Sequence, residues 1–170
     1  HGWDHYFSNR GEDEWGYCEI ENVTIGNTEL AVRYVQPDDD NEADQTVFRV
    51  DLPAPVAPGD SVLLQIEFTS KLPARVPRTG FWSDDFFFAA QWFPKVGVWQ
   101  DGEWNAHQFH AFSEFFADYG DYRVSMTVPE DYIIGSTGVL SEPVSNNDGT
   151  VTITAEQSCV HDFAWTAYPD

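Results

Sequence analysis

Strict period-2 alternation, broken at short intervals by turn residues, constrains this 170-residue chain more than any other feature. Tyr122, Val124, Met126 and Val128 fall on one side of an extended strand, with Arg123, Ser125 and Thr127 on the other. Val62, Leu64, Ile66 and Phe68 face one way with Ser61, Gln65, Glu67 and Thr69 the other, Phe48, Val50 and Leu52 alternate with Val47, Arg49 and Asp51, and Val151, Ile153 and Ala155 share a face. Successive side chains of a strand point to opposite faces, so the pattern describes half-buried strands, and a one-residue slip would turn each apolar face to water. Between these runs lie Gly26-Asn27, Pro58-Gly59 and Asn146-Asn147-Asp148-Gly149. Such steps supply the backbone conformations that reverse a chain.

Strands are predicted at 15–20 and 30–35, forming a hairpin about the turn at 25–28, and at 46–52, 61–69, 86–90, 122–128, 132–134, 150–155 and 160–166. Only 111–119 suggests a helix, with Gly120 placed to end it. The predicted fold class is all-β, an antiparallel β-sandwich or curved saddle-like sheet with little helix, in a single β-domain spanning 1–170.

Charge narrows the partners. Lys and Arg number 8 against 29 Asp and Glu, a formal net charge of −21 that repels phosphate backbones and argues against nucleic acid. Hydrophobic residues at 42% and aromatic ones at 16% are enough for a packed core in spite of that charge. No apolar run approaches the ~20 residues that cross a bilayer, so no transmembrane segment is expected. Cys18 and Cys159 lie near opposite ends of the chain and are read either as a bridge or as two buried free thiols. The chain is read as exported (periplasmic, outer-surface or secreted) rather than cytoplasmic, a setting that tolerates either arrangement. It opens at His1-Gly2-Trp3 as though in mid-element, and it reads as a fragment of something larger.

Residues 86–120 concentrate rings: Phe86-Phe87-Phe88-Ala89-Ala90 reads as a central strand apolar on both sides, and Trp92, Trp99 and Trp104 follow. A run this aromatic is either core or recognition surface, and burial is the first expectation. If Trp82, Trp92, Trp99 and Trp104 instead share an exposed face, they form a platform for carbohydrate or peptide. Two sets of residues could hold metal. His107 and His110 could contribute to a zinc site, with His161, His1 and His5 as further ligands, but at i and i+3 the first two converge only on a helix or tight turn. The acidic loop with Asp38, Asp40 and Asp44 could hold calcium, although it lacks the central Gly and closing Glu of an EF-hand loop. No H-E-x-x-H, Gly-x-Ser-x-Gly or phosphate-binding Gly loop is present, so no catalytic residue is assigned.

Gln91-Trp92-Phe93-Pro94-Lys95-Val96-Gly97-Val98-Trp99, then Trp104-Asn105-Ala106-His107-Gln108-Phe109-His110, then Glu114-Phe115-Phe116-Ala117-Asp118-Tyr119-Gly120-Asp121-Tyr122 form an ordered motif series. With Pro37-Asp38, Gly135-Ser136-Thr137-Gly138 and Val160-His161-Asp162-Phe163-Ala164-Trp165-Thr166-Ala167, this series resembles the amino-terminal domain of bacterial zinc metallopeptidases of the aminopeptidase N family. The resemblance implies a saddle-shaped, non-catalytic β-domain packed against a catalytic domain of the same polypeptide. That partner would carry the zinc, through an H-E-x-x-H helix and a distal Glu, so no cofactor is implied in this chain itself. It further implies that the residues ahead of the Phe-Pro step help bind the free amino terminus of a peptide substrate. Counting back places that role at Asp84, with Ser83 and Asp85 beside it, where a carboxylate could pair with an ammonium group. The residue type differs from the family's Gln or Glu, and Ala89-Ala90 stand where the family has an Arg before the Phe-Pro step.

Overall fold

A computed structural model describes residues 11–74, 78–83, 85–110, 114 and 116–170. The described residues are all-β: fifteen strands, one short 3-10 turn at Glu12–Glu14, and no α-helix. In chain order the strands are β1 Tyr17–Ile25, β2 Thr28–Glu29, β3 Arg33–Tyr34, β4 Phe48–Arg49, β5 Gln65–Lys71, β6 Gly80–Trp82, β7 Phe86–Ala89 and β8 Val98–Gln100. They continue as β9 Glu103–Asn105, β10 Gly120–Pro129, β11 Tyr132–Ser136, β12 Val139–Leu140, β13 Val144–Ser145, β14 Thr150–Val160 and β15 Trp165–Pro169. The strands form several antiparallel sheets, as the alternation predicts.

The residues group into two compact units. The first comprises the described residues of His1–Cys18, Ser70–Pro94 and Tyr119–Asp170, and the second comprises Glu19–Thr69 with those of Lys95–Asp118.

In the first unit, β10 and β14 pair along nearly their whole length, with Met126 opposite Ile153 and Val128 opposite Val151. Their inward residues join Ile134, Ala155, Phe163 and Ala167 in the main core, where Phe163 is 0% exposed. On the outer face Thr127 and Thr152 hydroxyls bond across the ladder at 2.8 Å, and Ser125 and Thr154 at 3.0 Å. A bulge interrupts the pair between Gly120 and Tyr122, and the Asp121 carboxylate accepts the Cys159 N–H it leaves over, at 3.0 Å. A second sheet runs β11-β15-β7-β6, so β7 is central, as its composition predicts. Beyond β7, Gln91 adopts a positive φ of 55°, and the Trp92 indole N–H donates to the Phe163 carbonyl at 3.0 Å. Rings then meet edge to face from Trp165 to Trp92, Phe93 and Tyr122.

The second unit contains the hairpins β3–β4 and β8–β9 and most of the sheet β2-β1-β5. Asp101-Gly102 closes β8–β9 with φ of 54° and 89°, the two positive angles of a type I′ turn. Leu64, Ile66 and Phe68 are half-buried and Gln65, Glu67 and Thr69 exposed, whereas Val62 and Leu63 are both exposed.

Several expectations need correction. The first hairpin joins β1 to β2 around Gly26-Asn27, and the 30–35 segment contributes β3, which pairs with β4 instead. Gly120 opens β10 and does not end a helix; the described residues of 111–119 are irregular, and the rest of that stretch lies outside the described residues. The last strand is β15 at Trp165–Pro169, because β14 runs on to Val160 and the chain then turns around the buried Phe163. Cys18 and Cys159 are neither bridged nor buried: both are free and exposed.

Candidate functional site

In the second unit, two stretches nearly 70 residues apart meet at one carboxylate. Thr46 bonds back to Asp44 Oδ1 through its N–H at 2.8 Å and through its hydroxyl, and Gln36 Nε2 donates to the Asp44 carbonyl at 2.9 Å. The Val35 N–H to Val47 carbonyl bond, 2.9 Å, closes the base of the loop. This presents Asp38 to residues 107–110. His107 Nδ1 lies 2.6 Å from Asp38 Oδ1, His110 Nε2 lies 3.1 Å from Oδ2, and the Gln108 N–H donates to Oδ2 at 2.7 Å. The Gln108 side chain, 4% exposed, returns the contact. Its Oε1 accepts the Asp38 and Asp39 N–H groups at 3.0 and 3.2 Å, while Nε2 donates to Asp39 Oδ1 at 3.0 Å. Each of these contacts matches donor to acceptor in the sense the amide requires.

Electrostatics follows the geometry. The His107 bond holds the Asp38 carboxyl below the usual carboxylate range, against an opposing push from desolvation, and the Gln108 N–H and His110 add to the lowering. Asp44 is lowered chiefly by the Thr46 hydroxyl and N–H. Both carboxylates are therefore stabilised in the ionised form by donors from the protein itself.

The histidines expected to diverge as i and i+3 thus converge on opposite oxygens of Asp38. Residues 106–110 are irregular backbone, to which strand alternation does not apply. The acidic loop read as a calcium candidate turns Asp38 and Asp44 toward protein donors, and Asp40 is exposed. Among the described residues, no three His, Cys, Asp or Glu side chains are grouped to hold a metal ion. His161 belongs to the first unit, where it stacks on Tyr119 with ring centroids 5.5 Å apart. His1 and His5 lie outside the described residues.

The tryptophans divide between the units. Trp99 and Trp104 stand directly opposite on β8 and β9, ring centroids 5.0 Å apart and nearly perpendicular, and are 58% and 61% exposed. With the expectation of burial overturned for this pair, its packing is cross-strand: the position one step from a two-residue turn brings side chains closest. Trp82 and Trp92 belong to the first unit and are half-buried.

Asp84, expected to contact a substrate amino terminus, lies outside the described residues. Its neighbours Ser83 and Asp85 are exposed, with Ser83 at φ 51° and its hydroxyl donating to the Trp82 carbonyl. The feature missed in the sequence is a cavity of about 370 Å³ in the first unit, lined chiefly by Lys71, Phe81, Phe87, Ala89, Trp92 and Trp165. Phe87 and Ala89 share one face of β7 by alternation, Phe81 pairs with Phe87, and Trp165 pairs with Ala89. The small Ala89 between large rings is the only local sign of a hollow, and it gains meaning only once β15 is placed beside β7.

No family model, curated protein or solved structure matches the chain.

Proposed function

We propose that this chain is the non-catalytic amino-terminal β-domain of an aminopeptidase N-like zinc metallopeptidase. It packs against a catalytic domain of the same polypeptide, which supplies zinc and hydrolysis, and helps shape the pocket for the substrate's amino terminus. One observation supports the reading: the motif residues scattered through the chain meet one another in space. Pro37-Asp38 joins the Trp104 to His110 series at the Asp38 carboxylate. In the other unit Trp92 reaches Phe163, Gly135 pairs with Thr166, and Thr137 exchanges bonds of 2.8 and 3.1 Å with Ala164. Residues whose task is to hold a fold together should behave in this way. The test has two arms. Aminoacyl anilides supplied to the purified chain with zinc should not turn over. The coding sequence downstream of Asp170 should carry H-E-x-x-H with a Glu about twenty residues later. Chelator-sensitive turnover by this chain alone, or a downstream sequence without those ligands, would overturn the proposal.

The exposure of Trp99 and Trp104 favours a second reading, an autonomous module that binds carbohydrate or peptide through exposed rings. A glycan array and a tryptophan fluorescence titration separate the two. A ligand whose binding is lost in Trp99→Ala would support the module, and the absence of any ligand response in the folded chain would sink it.

A further inference from the structure

The cavity of the first unit has the makings of a built site. Its floor and one wall are a single sheet face, Phe81, Phe87, Ala89 and Trp165, held in register by the β6–β7 and β7–β15 ladders. Trp92 closes another side, edge-on to Trp165 at 6.2 Å and fixed by its bond to Phe163. The rim at Lys71 and Leu72 is pinned from both sides. Ala74 N–H donates to the Glu14 carbonyl at 2.9 Å, and Phe81 N–H to the Pro73 carbonyl at 3.1 Å. Gly16 approaches so closely that a Cβ there would lie 2.8 Å from the Lys71 carbonyl oxygen. The hollow is therefore preformed, and its volume is at the small end of ligand pockets, suited to one ring or branched side chain.

One charged residue, Lys71, stands on this apolar lining. Lys71 Nζ donates to the Asp13 carbonyl at 2.8 Å and has no carboxylate partner among the described residues, in a chain of 29 acids. An ammonium with donors to spare selects an anion.

We infer that this cavity binds a small apolar carboxylate of the kind found at the carboxy terminus of a peptide ending in Phe or Leu. The side chain lies against Phe81, Phe87 and Trp165, and the carboxylate meets Lys71. This goes beyond the proposed function, because it needs no catalytic partner and uses neither Asp84 nor the Asp38 joint.

The test is a titration of the ¹⁵N-labelled chain with N-acetyl-phenylalanine and with its carboxamide. The Trp165 indole resonance is followed and identified by its loss in Trp165→Phe. The acid should shift that resonance and bind about tenfold more tightly than the amide at low salt, and Lys71→Met should erase the preference. Ala89→Leu, which fills the hollow, should lose the response; its thermal unfolding transition is the check that it still folds, and Lys71→Met carries the test if it does not. A longer peptide ending in free Phe that binds as well as the short acid extends the class to peptide termini; binding of the short acid alone restricts it to small acids. No shift of Trp165 at about 10 mM of either compound, or equal binding of acid and amide, would overturn the inference.

Discussion

Replacing Gln108 by Leu removes the one buried polar side chain found among the described residues while nearly conserving its volume. Three hydrogen bonds disappear. Two of them leave the Asp38 and Asp39 N–H groups facing an apolar side chain, and the third is the bond to the Asp39 carboxylate. An unsatisfied, fully buried backbone donor costs about 1–3 kcal/mol; at this half-exposed loop water recovers part of that, so about 1 kcal/mol for each N–H is appropriate. The bond to Asp39, at an exposed carboxylate, adds about 0.5 kcal/mol. The loss should be near 2–3 kcal/mol, concentrated in the second unit. Hydrogen exchange is the right assay, because it reads the opening of the Asp38 and Asp39 amides directly and does not require the two units to unfold together. Protection at both should fall by roughly 30- to 150-fold, while β10 and β14 amides stay protected. In a double-mutant cycle, Asp39→Ala should cost measurably less in the Gln108→Leu background than in the parent. A loss below about 0.5 kcal/mol, or full additivity of the two substitutions, would refute the claim that this amide is the joint.

Three further outcomes follow from the same geometry. Asp38 and Asp44 have folded pKa values below the ordinary 3.8, so their contribution is present above that pH and is lost as pH falls through the lower folded values; Asp38→Asn should flatten acid unfolding of the 36–46 loop, measured by amide exchange below pH 3.8. Gly138 has φ of 90° with a would-be Cβ only 2.4 Å from the Glu156 carbonyl, whereas Gly149 at φ 87° faces open space. In chemical denaturation, Gly138→Ala should cost at least about 2 kcal/mol more than Gly149→Ala, since both carry the same backbone strain but only one carries the clash. Trp99→Ala should abolish the exciton couplet of the perpendicular Trp99–Trp104 pair in far-ultraviolet circular dichroism and loosen the hairpin by about 0.5–1.5 kcal/mol.

Local rules were readable wherever local chemistry decides. The alternation from Tyr122 to Val128 and from Val151 to Ala155 reports which residues face the core, and the structure places them there. The turn at 146–149 is likewise where its residues require, with Asn147 and Gly149 at positive φ. What the sequence hid depends on partners distant in the chain. The 30–35 segment looks as ready to pair with β1 as with β4, and only the register to Phe48 and Arg49 decides. Ring content in 86–120 says nothing of which side of a hairpin faces water, so Trp99 and Trp104 could not be told from core residues such as Phe163. The Asp38 joint was visible only as two unrelated metal candidates, because residue type announces ligands equally well to a metal ion and to another part of the protein. The cavity was least legible: Lys71, Ala89 and Trp165 belong to three different strands.

The placement of β15 also has a consequence for how the molecule is made. Trp165, Thr166 and Ala167 pair with Ala89, Phe88 and Phe87 across nearly eighty residues, so β7 waits for the end of this segment to emerge from the ribosome. Until then, Phe-Phe-Phe-Ala presents one unpaired strand edge, rich in rings and free of charge, to whatever strand arrives first. A chain ending before Trp165 should therefore be lost to inclusion bodies before it is lost to proteolysis. The neighbouring acids, Asp85 among them, would then act as gatekeepers that delay wrong pairing until the right partner is synthesised.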